Sequence, residues 1–296
     1  MTQIGTRTVA LLALALCGLA PGAASASPTA PERPAPLPTL VSVHARHVGA
    51  VDRVVFRFTG GTPGDVSAAW VDTLVSDGWG RRVRAAGAEV LAVYLNGADA
   101  HDEGGSSFRP RTAFALPNVI TAVSAGDFEG TVTVGLGVQQ HTSYTVRTRA
   151  DEVVVDVAAG FPTAVRQVWF VDRDAVATGT TPYAVPVGRR LPAAAPAAAV
   201  LHALFAGPTP GETHSGLGLV RSRAWGFTDL EIAGGTARLR LTRGCGSGGS
   251  TVTVADELRP TLRQFPTVDW VKIYAPGGGT GQPSGSSDSI PACLEP

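Results

Sequence analysis

Short runs rich in Val, Phe and Thr follow one another from residue 41 to residue 158, separated by turns rich in Gly, Asp and Pro. In one of the first runs, Val54 and Phe56 alternate with Arg53 and Arg57. Because side chains alternate between the two faces of a strand, this pattern predicts an apolar inner face and a solvated outer face that carries both arginines. About seven or eight such runs, with no helical period among them, predict an antiparallel β-sandwich.

Apolar positions from residue 165 to residue 275 follow two different periods. Residues 197–206 have an apolar helical face and end at Gly207, and residues 252–264 predict a second helix that Pro260 kinks or divides. The predicted strands are residues 165–171, 229–232, 237–241 and 268–274, the middle two joined as a hairpin by Gly234-Gly235. This half is predicted to be a small α+β domain, which makes the chain α+β overall.

The first 26 residues have the order of a secretory signal peptide. Arg7 precedes a short apolar run, and the small triplet Ala24-Ser25-Ala26 follows it. The run is shorter than the roughly 20 residues that a bilayer core requires, so a retained membrane helix is the weaker alternative. Cleavage after Ala26 predicts a secreted, extracytoplasmic protein whose mature chain has no transmembrane helix. The proline-rich residues 27–40 predict an extended linker.

Composition and charge narrow the class of partner. The 296 residues carry 24 Lys+Arg against 24 Asp+Glu, a formal net charge of +0, and Lys272 is the only lysine. A nucleic-acid binder needs a basic patch or stripe, so nucleic acid is excluded as a predicted partner. The hydrophobic content of 44% is typical of globular chains, and the length suits two small domains.

Two cysteines remain after removal of the predicted signal peptide. In an oxidising compartment, Cys245 and Cys293 are most simply interpreted as a disulfide. The bridge would close a loop of about 48 residues and stabilise the fold by ~4 kcal/mol in the chain-entropy model. It would hold the Gly- and Ser-rich tail, residues 276–296, against its domain.

The sequence lacks the motifs of common wall-acting enzymes. No Gly-x-Ser-x-Gly nucleophile elbow occurs, and a Ser-x-x-Lys site is impossible because residue 269, three before the single lysine, is Asp. The histidines are scattered and form no His-Glu-x-x-His zinc motif. The sequence therefore predicts a non-catalytic protein that needs no cofactor.

The nearest approach to a metal site is the run Asp99-Ala100-His101-Asp102-Glu103. Here His101 and Asp102 are weak candidate ligands for a cation. A solvated turn is the favoured interpretation, because acidic residues cluster more often in turns than in sites. His202, in the predicted helix over residues 197–206, is expected at the surface.

Arginines on strand faces are the first candidate binding residues. Two pairs each share one strand face: Arg53 with Arg57, and Arg238 with Arg240. Guanidinium groups in this arrangement suit the carboxylates of wall peptides or the charges of anionic wall polymers. Ordinary solvated sheet surface is the alternative for each pair.

Two tryptophans flank a predicted hairpin and are candidates for stacking on sugar rings. Trp70 falls in a strand, where a core position is the favoured interpretation, whereas Trp79 falls in a turn. We therefore expect Trp79 to form part of a wall-binding surface with Arg53 and Arg57.

Residues 41–158 resemble the AMIN-like domain of exported actinobacterial proteins. The resemblance is carried by Asp52-Arg53-Val54-Val55-Phe56, Asp72, Asp77-Gly78 and residues 98–102, 126–130 and 153–157. It implies an envelope-targeting module that, in amidases, contacts peptidoglycan or septal partners.

Residues 165–275 resemble the GerMN domain, named for spore germination and sporulation proteins. The resemblance is carried by Val168-Trp169-Phe170, residues 203–209, Glu212, Gly216-Leu217 and the Thr-Leu-Arg-Gln-Phe-Pro-Thr-Val run at 261–268. It implies a binding or scaffolding domain, and neither family is a known catalyst.

Together these features predict a non-catalytic, secreted envelope protein that binds peptidoglycan or another wall component through its AMIN-like domain. One alternative is a protein–protein assembly module of an envelope or sporulation complex, without affinity for glycan. A second alternative is a metal-dependent enzyme that acts on the wall. The predicted partners are accordingly a wall polymer or other envelope proteins.

Overall fold

Strands fill the N-terminal half of the computed structural model, which describes residues 36–296. The predicted signal peptide and residues 27–35 of the predicted linker lie outside the described residues. The strands are β1 (Thr39–Val48), β2 (Val51–Thr59), β3 (Asp65–Trp70), β4 (Glu89–Asn96), β5 (His101–Asp102), β6 (Gly105–Ser106), β7 (Arg111–Ala113), β8 (Val119–Phe128), β9 (Thr131–Val138), β10 (Tyr144–Arg149) and β11 (Glu152–Ala158).

These strands build the predicted antiparallel sandwich. One sheet has the order β1-β2-β11-β10, the other has the order β3-β4-β9-β8-β7, and β5-β6 is a separate hairpin. The prediction of about seven or eight strands is an underestimate, because β5, β6 and β7 have too few residues to produce an alternating pattern.

The inner faces of the two sheets share one apolar core. Val54 and Phe56 of β2 are fully buried, as their alternation predicts, and they belong to the same cluster as Leu91 of β4 and Val155 of β11. Burial of these apolar side chains is the main source of stability of the sandwich.

A buried carboxylate joins the two sheets at one end of this core. Asp52 is fully buried at the start of β2, and its Oδ2 accepts hydrogen bonds from the backbone N–H groups of Asn118 (2.6 Å) and Val119 (2.9 Å), where β8 begins. Its Oδ1 lies 2.7 Å from Nδ1 of His47. These bonds offset the desolvation of the carboxylate. Asp52, part of the AMIN-like motif, therefore has a structural role.

Residues 71–88 cover the outer face of the five-stranded sheet. Leu74 lies directly over Gly135 of β9, and the carbonyl of Ala86 lies so close to Gly137 that an added Cβ would be 1.9 Å from its oxygen. The Thr121 hydroxyl donates to the same carbonyl at 3.1 Å. Gly137 therefore fixes the path of this segment, because a side chain there would displace its backbone.

The C-terminal half combines helices with two three-stranded sheets. Its elements are β12 (Thr163–Asp172), α1 (Arg173–Thr178), β13 (Ala184–Pro192), α2 (Pro196–Ala206), α3 (Pro210–His214), β14 (Leu217–Gly218), β15 (Phe227–Ala233), β16 (Thr236–Leu241), α4 (Val254–Arg263) and β17 (Trp270–Tyr274). The sheets have the orders β13-β12-β14 and β15-β16-β17, and α2 and α4 pack on β12. The predicted α+β architecture is confirmed.

Local signals explain where these elements begin and end. The Thr253 side chain caps α4 in a capping box with Asp256, and α4 continues through Pro260 instead of dividing there. Gly234 and Gly235 both have positive φ and form the two-residue connection between β15 and β16.

The two halves meet in a common apolar core. Ala86, Ala113 and Ile120 of the N-terminal half belong to the cluster that contains the buried face of α2. Gln139 adds a polar contact, because its Nε2 donates to the carbonyl of Ala199 at 3.0 Å. Residues 36–296 consequently form one compact unit.

The C-terminal tail folds back onto the last sheet. A disulfide joins Cys245 to Cys293. Ser289 adds to the edge of β17, since its N–H donates to Val271 (3.1 Å) and its carbonyl accepts from Ile273 (2.9 Å). The tail is thus held by a covalent bond and by strand pairing.

Lys272 also holds this tail. It is fully buried on β17, and its Nζ donates to the carbonyls of Gln282 (2.7 Å) and Ser284 (3.1 Å). Carbonyl acceptors at hydrogen-bond distance offset the cost of burying the ammonium group.

Candidate functional site

On the outer face of the four-stranded sheet, the two predicted arginines are paired with carboxylates of β11. Arg53 donates from Nε and Nη2 to the two oxygens of Asp156, at 2.7 and 2.9 Å, and Arg147 donates to the same carboxylate. The hydrogen bond from Arg53 helps to hold the pKa of Asp156 below its usual value. Arg57 lies 2.9 Å from Glu152. Both arginines point outward, with their charges balanced across the strand pair.

The loop before β4 places Trp79 in solvent. Its side chain is 78% exposed, and the guanidinium of Arg81 lies 5.3 Å from its ring centroid. Phe128, 50% exposed at the end of β8, packs beside Gly78, and Val75 is exposed in the same loop. We call Val75, Trp79, Arg81 and Phe128 the Trp79 surface.

The Trp79 surface and the outward arginines of β2 lie on opposite faces of the sandwich. The loop that carries Trp79 covers the outer face of the five-stranded sheet, whereas Arg53 and Arg57 project from the four-stranded sheet. The structure therefore does not bring Trp79 together with these two arginines.

Trp70 packs between the edges of the two sheets. Its ring stacks on His141 with centroids 4.2 Å apart and meets Tyr144 edge-on at 5.9 Å. The Tyr144 hydroxyl donates to the carbonyl of Ala68 at 2.6 Å. Because these contacts join β3 to β10, the favoured core interpretation of Trp70 agrees with its position.

The second predicted arginine pair lies on β16. Arg240 Nε donates to Asp229 at 2.7 Å, and this hydrogen bond lowers the pKa of the Asp229 carboxyl. Arg238 is in register between Glu231 of β15 and Lys272 of β17. Arg240, like the β2 pair, has a carboxylate partner.

The weak metal candidates form separate hydrogen bonds. His101 Nδ1 pairs with Asp127, which raises the pKa of the imidazole, and Asp102 accepts from the backbone N–H of Gly104 at 2.8 Å. Within residues 36–296, no group of three or more His, Cys, Asp or Glu side chains is placed to hold a metal ion.

The most recognisable residues of the C-terminal half stabilise its fold. Glu212 closes a capping box by accepting from the N–H of Thr209 at 2.8 Å, and it binds Arg189 through both oxygens at 2.6 and 2.5 Å. The Gln264 side chain pairs with both backbone groups of Gln167, at 3.0 and 2.7 Å. These motif residues position elements and leave little free for a ligand.

A set of arginines that sequence reasoning missed lines the cleft between the two halves. We call it the arginine cleft, and its members are Arg82, Arg84, Arg109, Arg111, Arg173 and Arg221. They come from four separate segments, residues 82–84, 109–111, 173 and 221, which belong to both halves, so no local pattern indicates that they share a site.

Three of these arginines also contact the backbone or side chains around them. Arg111 donates to the carbonyl of Arg84, and Arg84 Nη1 donates to Thr242 at 3.4 Å. Arg221 Nη2 donates to the carbonyl of Phe205, in the last turn of α2, at 3.1 Å. A hydrogen bond to the protein therefore holds each of these three guanidinium groups in the cleft.

The electrostatics of the arginine cleft are those of crowded, partly buried cations. Burial, with Arg221 and Arg84 nearby, lowers the pKa of Arg111 to about 10. Burial and Arg84 together lower the pKa of His202 to about 4. His202 packs against Phe227 with ring centroids 4.9 Å apart, which corrects its expected position at the surface.

Comparison with protein families identifies two successive domains in the chain. A family model described as an AMIN-like domain matches residues 38–159, and Germane, described as sporulation and spore germination, matches residues 167–278. The chain carries an AMIN-like domain followed by a Germane domain. Both predicted resemblances are confirmed, the GerMN resemblance as Germane. No curated protein and no solved structure matches the chain significantly.

The two families set the coarse functional class. AMIN-like domains are typically extracytoplasmic and suggest binding related to the cell wall, and the Germane domain suggests a role in sporulation or germination. Neither is a catalytic family. In residues 36–296, none of the helices has the length and apolar character needed to cross a membrane.

Proposed function

We propose that the protein is a secreted, non-catalytic envelope protein that binds peptidoglycan or another wall component through its AMIN-like domain. In this proposal the Germane domain binds a protein partner or a second strand of the wall. The observation that carries the proposal is the exposure of Trp79.

An exposed indole suits the apolar face of a sugar ring. Burial of the 78% exposed Trp79 on a glycan would remove its large apolar surface from water. Arg81 adds a cation beside the ring, where the carboxylates of wall peptides would lie. Val75 and Phe128 extend the same apolar surface.

The predicted arginine pairs are proposed as secondary contacts. Arg53, Arg57 and Arg240 each have a carboxylate partner, so an anionic ligand would have to compete with that partner. Any contribution from these residues, and from Arg238, is expected to be small and to fall with salt.

The test is co-sedimentation of the full oxidised chain with purified sacculi across a salt series. We expect pelleting at low salt, and an apparent Kd raised about tenfold by Trp79→Ala, because a well-buried aromatic contact is worth about 1.4 kcal/mol. Trp79→Phe should restore most of the affinity. Val165→Ala, which truncates another exposed apolar side chain, on β12 and outside the AMIN-like domain, is the matched control and should bind as the unaltered protein does.

The opposite outcomes are equally specific. A chain that fails to pellet at low salt does not bind the wall, and the assembly-module alternative would then replace the proposal. If Trp79→Ala pelleted as strongly as the unaltered protein, the Trp79 surface would not be the wall-binding site.

A further inference from the structure

The arginine cleft consists of two adjoining cavities with a shared wall. The first, of about 300 Å³, is lined by Arg82, Arg84, Arg111 and Arg221 together with Val83, Ala86, Phe205 and Trp225. The second, of about 220 Å³, is lined by Arg109, Arg111, Arg173 and Arg221 together with the residues that follow α2. Arg111 and Arg221 line both cavities, so four arginines line each one.

Among the residues that the structure describes, no carboxylate forms an ion pair with this cluster. Neither cavity has an Asp or Glu in its lining. None of the six arginines lies within 4.0 Å of a carboxylate oxygen of residues 36–296. The arginines of these residues that do form ion pairs lie elsewhere, and they are Arg53, Arg57, Arg147, Arg189, Arg240, Arg259 and Arg263. Glu257 acts on Arg221 from farther away, but its oxygens already accept from the N–H groups of Val171 and Val220.

Oxygens of residues 36–296 use little of the hydrogen-bonding capacity in the arginine cleft. A guanidinium has about five N–H donors, and Arg84, Arg111 and Arg221 each use one of them on an oxygen of the protein. Arg84 Nε is buried and has no partner within residues 36–296. Partly buried like charges repel one another, and unused buried donors are unfavourable. A bound anion would relieve both penalties.

We infer that the arginine cleft is a binding site for a phosphate or diphosphate group, with the organic part of the ligand packed against Val83 and Trp225. Four guanidinium groups around each cavity match a group with two or more negative charges better than a single carboxylate. Two cavities with a shared arginine wall suit two linked phosphates. Val83 and Trp225 supply the apolar wall that ligand pockets usually contain.

The site would also join the two domains. Arg84 and Arg111 come from the AMIN-like domain, whereas Arg173 and Arg221 come from the Germane domain. A bound phosphate is expected to stabilise their junction. This inference is independent of the Trp79 surface, which lies outside the two cavities.

The test measures binding of pyrophosphate to the full chain by calorimetry and by the shift in Tm. At concentrations far above Kd we expect pyrophosphate to raise Tm by several degrees, as linkage predicts for a ligand of the folded state. Sodium chloride at the same ionic strength should raise Tm by less than about one degree. A pyrophosphate effect no larger than the chloride effect would exclude a small free phosphate compound as the ligand, and together with no binding of the phosphate polymer named below it would overturn the inference.

Two variants and a matched control locate the binding. Arg111→Met removes the arginine shared by the cavities and should weaken binding at least tenfold. Arg82→Gln removes an exposed lining arginine whose side chain has no hydrogen bond or ion pair within residues 36–296, so the fold should be unaffected while Kd rises several-fold. Arg149→Gln, exposed on β10, should leave Kd unchanged. Full affinity in both lining variants would contradict the site.

A second comparison identifies the source of the phosphate. Tighter binding of a soluble poly(glycerol phosphate) oligomer than of pyrophosphate would support the site with a wall polymer as its ligand. Tighter binding of pyrophosphate would support it with a small free phosphate compound. Binding of neither would overturn the inference.

Discussion

Two sets of arginines in this protein differ in their partners. On the outer face of the four-stranded sheet, Arg53 and Arg147 share the carboxylate of Asp156. In the arginine cleft, Arg84 and Arg111 lie near one another and have no such partner within residues 36–296. The first set stabilises a strand pair through balanced charge. The second set accumulates charge where two domains meet, and an anionic ligand accounts for it.

The largest effect on the arginine cleft is expected from a substitution in the backbone beneath it. Gly137→Ala would place a Cβ 1.9 Å from the carbonyl of Ala86 and displace the segment that carries Arg84. We expect the free energy of unfolding to fall by about 3–5 kcal/mol, as for other severe steric changes in a packed core. Urea denaturation measures it. Gly211→Ala, in a position with open space in α3, is the control and should leave stability unchanged or raise it by up to about 1 kcal/mol.

The pKa of His202 reports the buried, positively charged environment beside the arginine cleft. Its folded-state pKa of about 4 lies below the ordinary value of 6.5. The imidazole is neutral in both states above 6.5, and below it only the unfolded state gains the proton until the pH reaches about 4. His202 should therefore remove about 3 kcal/mol of stability as the pH falls from 6.5 to 4.

The measurement is an NMR titration of the His202 ring, with stability followed in parallel. Arg84→Gln should raise the pKa of His202, and His202→Phe should remove this part of the acid sensitivity. A pKa near 6.5 in the unaltered protein would contradict the described environment.

The arginines on the outer face of the four-stranded sheet can be deprived of their carboxylate partner, so that they resemble those of the arginine cleft. Asp156→Asn leaves Arg53 and Arg147 without a carboxylate, and we expect a loss of about 2 kcal/mol at pH 7. Because the folded-state pKa of Asp156 is lowered, its contribution is present above the ordinary value near 3.8 and is lost as the pH falls below it. Denaturation at pH 7 and at pH 3 should therefore differ for the unaltered protein more than for Asp156→Asn. An equal pH dependence in the two proteins would show that the pair contributes nothing.

The unpaired set should tolerate loss of a charge when no ligand is bound. Arg111→Met removes repulsion from Arg84 and Arg221 but also removes the bond to the Arg84 carbonyl. We expect the two effects to offset each other within about 1 kcal/mol. A destabilisation as large as that of Asp156→Asn would show that Arg111 serves the fold alone.

Sequence pattern predicted the parts of the molecule that local periodicity determines. The alternation around Val54 and Phe56, the hairpin at Gly234-Gly235 and the end of α2 at Gly207 all appear where expected. Pairing of the outward arginines with β11 depends on strand order, which alternation does not give. The arginine cleft depends on contact between two domains, and no spacing along the chain reports it.

The same limit applies to the predicted wall-binding surface. Exposure of Trp79 followed from its position in a turn, whereas its separation from Arg53 depends on which sheet the turn covers. Burial of His202 likewise depends on Phe227, which approaches α2 from a distant strand. Residue types at separate positions predicted the candidate contacts but could not assemble them.

Hydrogen–deuterium exchange of the full chain with soluble peptidoglycan fragments tests the proposed wall contact most directly. We expect slower exchange of the backbone amides of residues 77–82 and 128–130, around the Trp79 surface, and a much smaller change at residues 53–57 of β2, whose arginines are only secondary contacts. Protection confined to the Germane domain, or its absence from residues 77–82, would contradict the assignment of wall binding to this surface.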